Sequence, residues 1–144
     1  MTVYLDASAL VKRYVAERAS KEVAALIRQA PLVATSLVSR AEVAAAFARS
    51  ARIGLLTAAA GRKAQWTFAT EWPDVAKVPV TESLVARAET LAWDYGLRGY
   101  DAVQLASALT WQEAVGEPVL LATFDRQLWD AAEPAGLRRW PESL

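Results

Sequence analysis

The chain has 144 residues, 16 of them basic and 16 acidic, is 54% hydrophobic, and contains no histidine or cysteine. This length and apolar share suit a single domain over residues 1–144 and exclude intrinsic disorder. The two missing residue types exclude disulfides, thiolate nucleophiles, zinc fingers, Ser-His-Asp triads and imidazole acid–base pairs, leaving carboxylates, hydroxyls, Lys, Arg and Tyr to carry any chemistry.

Residues 3–5 read as a short buried strand. Ser8 then caps a helix in which Leu10, Val11, Tyr14 and Val15 recur at helical spacing. Ser20 caps a second helix carrying Val23, Leu26 and Ile27, and Pro31 ends it before a strand over residues 32–35. A long helix passes through Glu42, Val43 and Phe47, is favoured by Ala44, Ala45 and Ala46, and stops at Gly54. Residues 57–72 form the next helix, ending at Trp72-Pro73, and residues 75–80 a third strand. Thr81 caps a helix through Leu84, Val85, Ala88 and Leu91 that closes near Gly96. Residues 101–115 are helical, with Ala102, Leu105, Ala106 and Leu109 on one face. A strand over 119–123, a helix over 125–132 and a strand over 137–140 complete the pattern. Strands alternating with helices predict a three-layer α/β/α domain around a central, mainly parallel sheet of four or five strands. Charge interrupts every apolar stretch well before the ~18 residues of a membrane span, and Met1 to Asp6 has no basic leader, so a soluble cytoplasmic protein is expected.

The zero net charge conceals a gradient: residues 39–63 sum to +4 and residues 82–133 to −6. Four acids hold special positions. Asp6 ends the first strand, Asp125 follows the fourth, Asp101 opens a helix, and Glu42 lies early in the helix after the second strand. Open parallel sheets build their sites beyond the carboxyl ends of the strands, where these four can converge. At about 5 Å and an effective dielectric of ~20, each like-charged pair costs about 3 kcal/mol, so such a cluster takes up a proton or a cation. Oxygen ligands without histidine or cysteine suit Mg²⁺ or Mn²⁺. Each acid also has a structural explanation: Asp101 and Asp125 as helix caps, Ser39-Arg40-Ala41-Glu42 as a capping box, and Asp6 as a turn residue.

Four local sequences occur in order: Tyr4-Leu5-Asp6-Ala7-Ser8, Thr35-Ser36 leading to Arg40-Ala41-Glu42, Gly99-Tyr100-Asp101-Ala102-Val103-Gln104-Leu105-Ala106, and Leu121-Ala122-Thr123-Phe124-Asp125. In these pieces, from about residue 2 to 137, the chain resembles the PIN-domain nucleases, in particular the VapC-type toxins of bacterial toxin–antitoxin pairs. The resemblance implies an endoribonuclease with Mg²⁺ or Mn²⁺ at Asp6, Glu42, Asp101 and Asp125, and with the hydroxyls of Ser8 and Thr123 orienting a carboxylate or a water. The missing histidine sharpens this expectation: attack by the RNA 2′-hydroxyl usually needs acid–base side chains, whereas a metal-activated water leaves 5′-phosphate and 3′-hydroxyl ends. The resemblance also implies a homodimer and a neutralising VapB-type antitoxin.

Arg40, Arg49 and Arg52, with Arg62 and Lys63 beyond them, are the cations available to RNA phosphates in the basic middle of the chain. Most of the six tryptophans are expected in the core, with some on a partner surface. Three alternatives stand beside the toxin: a PIN-type RNA-processing or structure-specific nuclease, a phosphoacceptor switch, and a catalytically silent interaction module. The switch is disfavoured because Asp6 stands without an acidic neighbour and Thr123-Phe124-Asp125 ends in an acid instead of a lysine.

Overall fold

Period-two alternation in the central strands sorts the core into two layers. In the computed structural model, which describes residues 1–144, β1 (Thr2–Leu5) turns Tyr4 to one face and Val3 and Leu5 to the other. Its neighbour β4 (Val119–Ala122) sends Val119 and Leu121 to the Tyr4 side and Ala122 to the opposite side. Strands covered on both faces read as unbroken apolar runs, as these do. With β2 (Val33–Ser36), β3 (Ala76–Val78) and β5 (Arg138–Trp140) they form one parallel sheet in the order β3-β2-β1-β4-β5.

Four helices cover the Val3 face: α1 (Ala7–Leu10), α2 (Ser20–Gln29), α3 (Ser39–Arg52) and α4 (Ala58–Glu71), through Leu10, Val23, Val43, Phe47 and Phe68. The Tyr4 face is covered by α5 (Glu82–Tyr95), α6 (Gly99–Val115) and α7 (Arg126–Ala132), through Leu84, Leu91, Leu105, Leu109 and Leu128. Crossovers running outward from β1 to β3 therefore use one face, and those running back to β4 and β5 use the other, as a single crossover hand requires. The strand order reverses between β1 and β4, which opens a crevice beyond their carboxyl ends.

The expected strands and helices are all present, with edges shifted by a few residues. Three helix starts differ for tertiary reasons. Asp6, not Ser8, caps α1 by accepting from Ala9 N–H, and α1 stops at Leu10, followed by a 3-10 turn over Val11–Arg13. Ser20 does not cap α2: Ala19 holds the cap position at φ +66°, and the Ser20 hydroxyl ties Val15 O and Glu17 N–H together. The capping box at Ser39 to Glu42 does not form, because Val38 sits at the cap and both Ser39 and Glu42 are drawn to α6. Thr81 does cap α5, accepting from Leu84 N–H, and Gly96 ends that helix at φ +64°.

The tryptophans divide between core and surface as expected. Trp72 and Trp129 are buried, Trp111 and Trp140 half-buried, and Trp66 and Trp93 70% and 87% exposed. Trp66 follows the buried Ala64 by two residues, and Trp93 follows Leu91 by two, about 200° around each helix and so on the outer face. No helix is long and apolar enough to cross a membrane.

Candidate active site

The crevice between β1 and β4 is where the chain first brings hydroxyls and carboxylates together. Asp6 leaves β1 and still donates its backbone N–H to Ala122 O of β4, so it is fixed against the chain that delivers Thr123 and Asp125. Its carboxylate is buried, at 4% exposure. Oδ1 accepts from Ser8 Oγ at 2.7 Å and from Ala9 N–H at 3.0 Å, and Oδ2 accepts from Thr123 Oγ1 at 2.7 Å. Ser8 Oγ in turn accepts from Phe124 N–H, and Thr123 Oγ1 from Asp125 N–H. Two hydroxyls thus bind Asp6 to the turn after β4. Burial nevertheless pushes the Asp6 carboxyl up to about 7, outweighing these hydrogen bonds, and the charge of Glu42 adds to the rise.

Glu42 reaches the same edge from the first turn of α3. Its Oε1 accepts from Gln104 Nε2 at 2.8 Å. Gln104 is buried on α6 and fully engaged: Nε2 also donates to Ser39 Oγ, and Oε1 accepts from the Tyr4 hydroxyl at 2.6 Å. Ser39 is itself held 2.7 Å from Thr35, whose hydroxyl meets Leu5 O. A polar chain therefore runs through the core from β1 and β2 to Glu42. Burial raises the Glu42 carboxyl, the amide of Gln104 opposes this, and repulsion from Asp101 adds to it.

Asp101 lies in the first turn of α6, and Asp125 caps α7 by accepting from Leu128 N–H at Oδ1. Arg98 joins them. Its Nε donates to Asp101 Oδ2 at 3.0 Å and its Nη2 to Asp125 Oδ2 at 2.7 Å. Asp101 is still raised, by burial first and then by repulsion from Asp125, with Arg98 opposing both. Asp6 with Glu42, Glu42 with Asp101, and Asp101 with Asp125 thus form a series of carboxylates within electrostatic reach of one another.

As the side chains stand, no three of them are gathered closely enough to ligate one ion. Each is held by a protein donor instead: hydroxyls at Asp6, an amide at Glu42, and a guanidinium at Asp101 and Asp125. The donor chemistry fits a hard divalent cation. It is oxygen only, rich in carboxylate, and centred on a buried acid that lacks a countercharge.

Of the cations read from the sequence, Arg40 lies two residues before Glu42 and stacks 5.9 Å from the Trp72 ring. Arg49 and Arg52 lie in the last turn of α3, roughly 10 and 15 Å farther along the axis than Glu42. The guanidinium nearest the acids is Arg98, which sequence reasoning passed over, as it did Gln104 and Tyr4. A signal existed for two of them: Arg98 and Gln104 sit three residues before and after Asp101, on one face of α6 and its approach.

The PIN domain family matches residues 3–134. The chain is 38% identical to Ribonuclease VapC45 of Mycobacterium tuberculosis (strain CDC 1551 / Oshkosh) and to Ribonuclease VapC49 of Mycobacterium tuberculosis (strain ATCC 25618 / H37Rv), in each case across 99% of this chain and 96% of the relative. The chain belongs to the PIN-domain family and, within it, to the VapC type. Among solved structures it is similar to PAE2754 from Pyrobaculum aerophilum, with TM-score 0.65 and 21% identity over 96% of this chain and 83% of that one. It is also similar to a toxin–antitoxin complex from Klebsiella pneumoniae, with TM-score 0.55 and 17% identity over 82% and 83%. At these identities the likeness is one of fold, the three-layer α/β/α arrangement described above.

Proposed function

We propose that the protein is a metal-dependent endoribonuclease acting as the toxin of a toxin–antitoxin pair. The observation that carries this is the gathering of Asp6, Glu42, Asp101 and Asp125 at the reversal of strand order, in a chain 38% identical to two ribonucleases along its length. Asp6, Glu42, Asp101 and Asp125 would hold Mg²⁺ or Mn²⁺. When bound, such an ion lowers the pKa of water and offsets charge on the phosphodiester. Ser8 and Thr123 keep Asp6 oriented by donating to its two oxygens. Gln104 keeps Glu42 turned to the crevice, where Glu42 or Asp125 takes the proton of the attacking water. With no imidazole to activate the RNA 2′-hydroxyl, the products are a 5′-phosphate and a 3′-hydroxyl.

RNA passes the acids along cationic and aromatic surface. A groove of about 560 Å³ beside Asp125 is lined by Lys12, Arg18, Phe124, Arg126 and Trp140, and Arg40, Arg49 and Arg52 extend cationic contact on the α3 side. The apolar groove between α5 and α6, flanked by Val85 and Tyr100, supports a homodimer, and the acidic crevice suits a cationic segment of a VapB-type antitoxin. The test is regulated expression of the wild type beside Asp6→Asn and Asp101→Asn. The wild type alone arrests growth, co-expression of a small adjacent gene relieves the arrest, and new 5′-phosphate ends identify the RNA. Arrest by all three proteins contradicts the assignment. Sedimentation showing only single chains contradicts the homodimer.

A further inference from the structure

Arg98 occupies oxygens that a metal would need. Asp125 has two carboxylate oxygens: Oδ1 caps α7 through Leu128 N–H, and Oδ2 is taken by Arg98 Nη2 at 2.7 Å. A cation that Asp125 ligates through Oδ2 meets the positive charge of Arg98 at the same oxygen, so the two compete for it. The same guanidinium holds Asp101 Oδ2 at 3.0 Å. Arg98 is the one cationic side chain paired with any of the four acids.

The pairing is also built to be released. The Arg98 side chain is 71% exposed, against 14% for Asp101 and 23% for Asp125. Its Nη1 makes no protein hydrogen bond, and Arg98 stands at the cap of α6 without a side-chain capping role. Exposed ion pairs of this kind are weak, so a divalent ion can displace them. The freed guanidinium stays tethered at the rim of the crevice. Its planar fork suits a phosphate as well as it suits two carboxylates.

We propose that Arg98 is an exchangeable cation of the site, bridging Asp101 and Asp125 in the metal-free protein and turning, when a divalent ion binds, to pair with the phosphodiester of the RNA. This rests on the metal-dependent reading given above. It makes Arg98 a substrate-binding residue whose availability is coupled to the metal. By reciprocity, metal and RNA each tighten the binding of the other through it.

The experiment measures Mn²⁺ binding to the whole chain, without RNA, for the wild type, Arg98→Gln and Arg98→Lys, with circular dichroism to check folding. Arg98→Gln binds Mn²⁺ roughly two- to tenfold more tightly than the wild type, the size expected for removing one or two exposed ion pairs. Arg98→Lys gives a smaller gain, since an ammonium keeps the charge but loses the fork. A second measurement uses a labelled single-stranded RNA with Ca²⁺ or with EDTA. Ca²⁺ strengthens RNA binding by the wild type more than by Arg98→Gln, and the salt dependence of the Ca²⁺-bound form falls by about 0.7 in log–log slope for the one lost phosphate contact. Mn²⁺ affinity that is equal or weaker in Arg98→Gln overturns the exchange, because Arg98 is then a brace. RNA affinity unchanged by Arg98→Gln overturns the phosphate role. A wild type that binds no Mn²⁺ overturns the metal reading together with this inference.

Discussion

Asp6 is the residue at which stability and chemistry oppose each other. Burial lifts its carboxyl from an ordinary 3.8 to about 7 in the folded chain. Between those values the folded state holds a proton that the unfolded state has released, so stability falls as pH rises from about 4 to about 7. In EDTA, Asp6→Asn therefore melts at a higher temperature than the wild type at pH 8, with a smaller difference at pH 5, while its RNA cleavage in Mg²⁺ or Mn²⁺ is lost. Thermal melts at the two pH values check this, and an equal difference at both would remove the burial argument. Gln104 carries a different expectation. Gln104→Leu leaves the Tyr4 hydroxyl without its acceptor and Ser39 and Glu42 without their amide donor. The expected loss is about 1–3 kcal/mol by urea denaturation, because buried polar groups lose partners, with slower cleavage as Glu42 loses its orientation. Asp6 was legible in the sequence because a strand end announces itself locally. For Gln104 only its spacing from Asp101 was legible, and its role was not, because its partners Glu42 and Tyr4 lie 62 and 100 residues away.

At the scale of elements, Asp125 serves two ends of one turn. Its Oδ1 caps α7 while Oδ2 faces the crevice. Asp125→Ala loses both functions and costs about 1 kcal/mol for the cap. Asp125→Asn keeps a capping oxygen, so its stability stays within a few tenths of a kcal/mol of the wild type, yet cleavage falls as far as in Asp125→Ala. Urea midpoints beside cleavage rates separate the two, and an active Asn variant would leave Asp125 as a cap alone. The sequence patterns that located elements were those with period and punctuation: apolar runs for β1 and β4, Thr81 and Gly96 bounding α5, Pro31 before β2. The caps assigned to Ser8, Ser20 and Ser39 failed for one shared reason. Each hydroxyl has a partner outside its own helix start: Phe124 N–H for Ser8, Val15 O for Ser20, Gln104 for Ser39. Local propensity does not see those partners.

At the scale of the molecule, the fold explains why distant residues meet. β1 and β4 are adjacent although more than a hundred residues separate them, and the reversal of strand order between them puts Asp6 beside Thr123, whose hydroxyl also accepts from Asp125 N–H. α6 starts at the same edge and delivers Asp101, and α3 delivers Glu42. A chain without histidine has no imidazole to activate a 2′-hydroxyl, and in the reaction proposed above the acids and a divalent ion would activate water instead. End-group analysis of the cleaved RNA tests that claim most directly. The expected termini are 5′-phosphate and 3′-hydroxyl, formed with Mg²⁺ or Mn²⁺ and absent with EDTA. Termini carrying a 2′,3′-cyclic phosphate and a 5′-hydroxyl would contradict it.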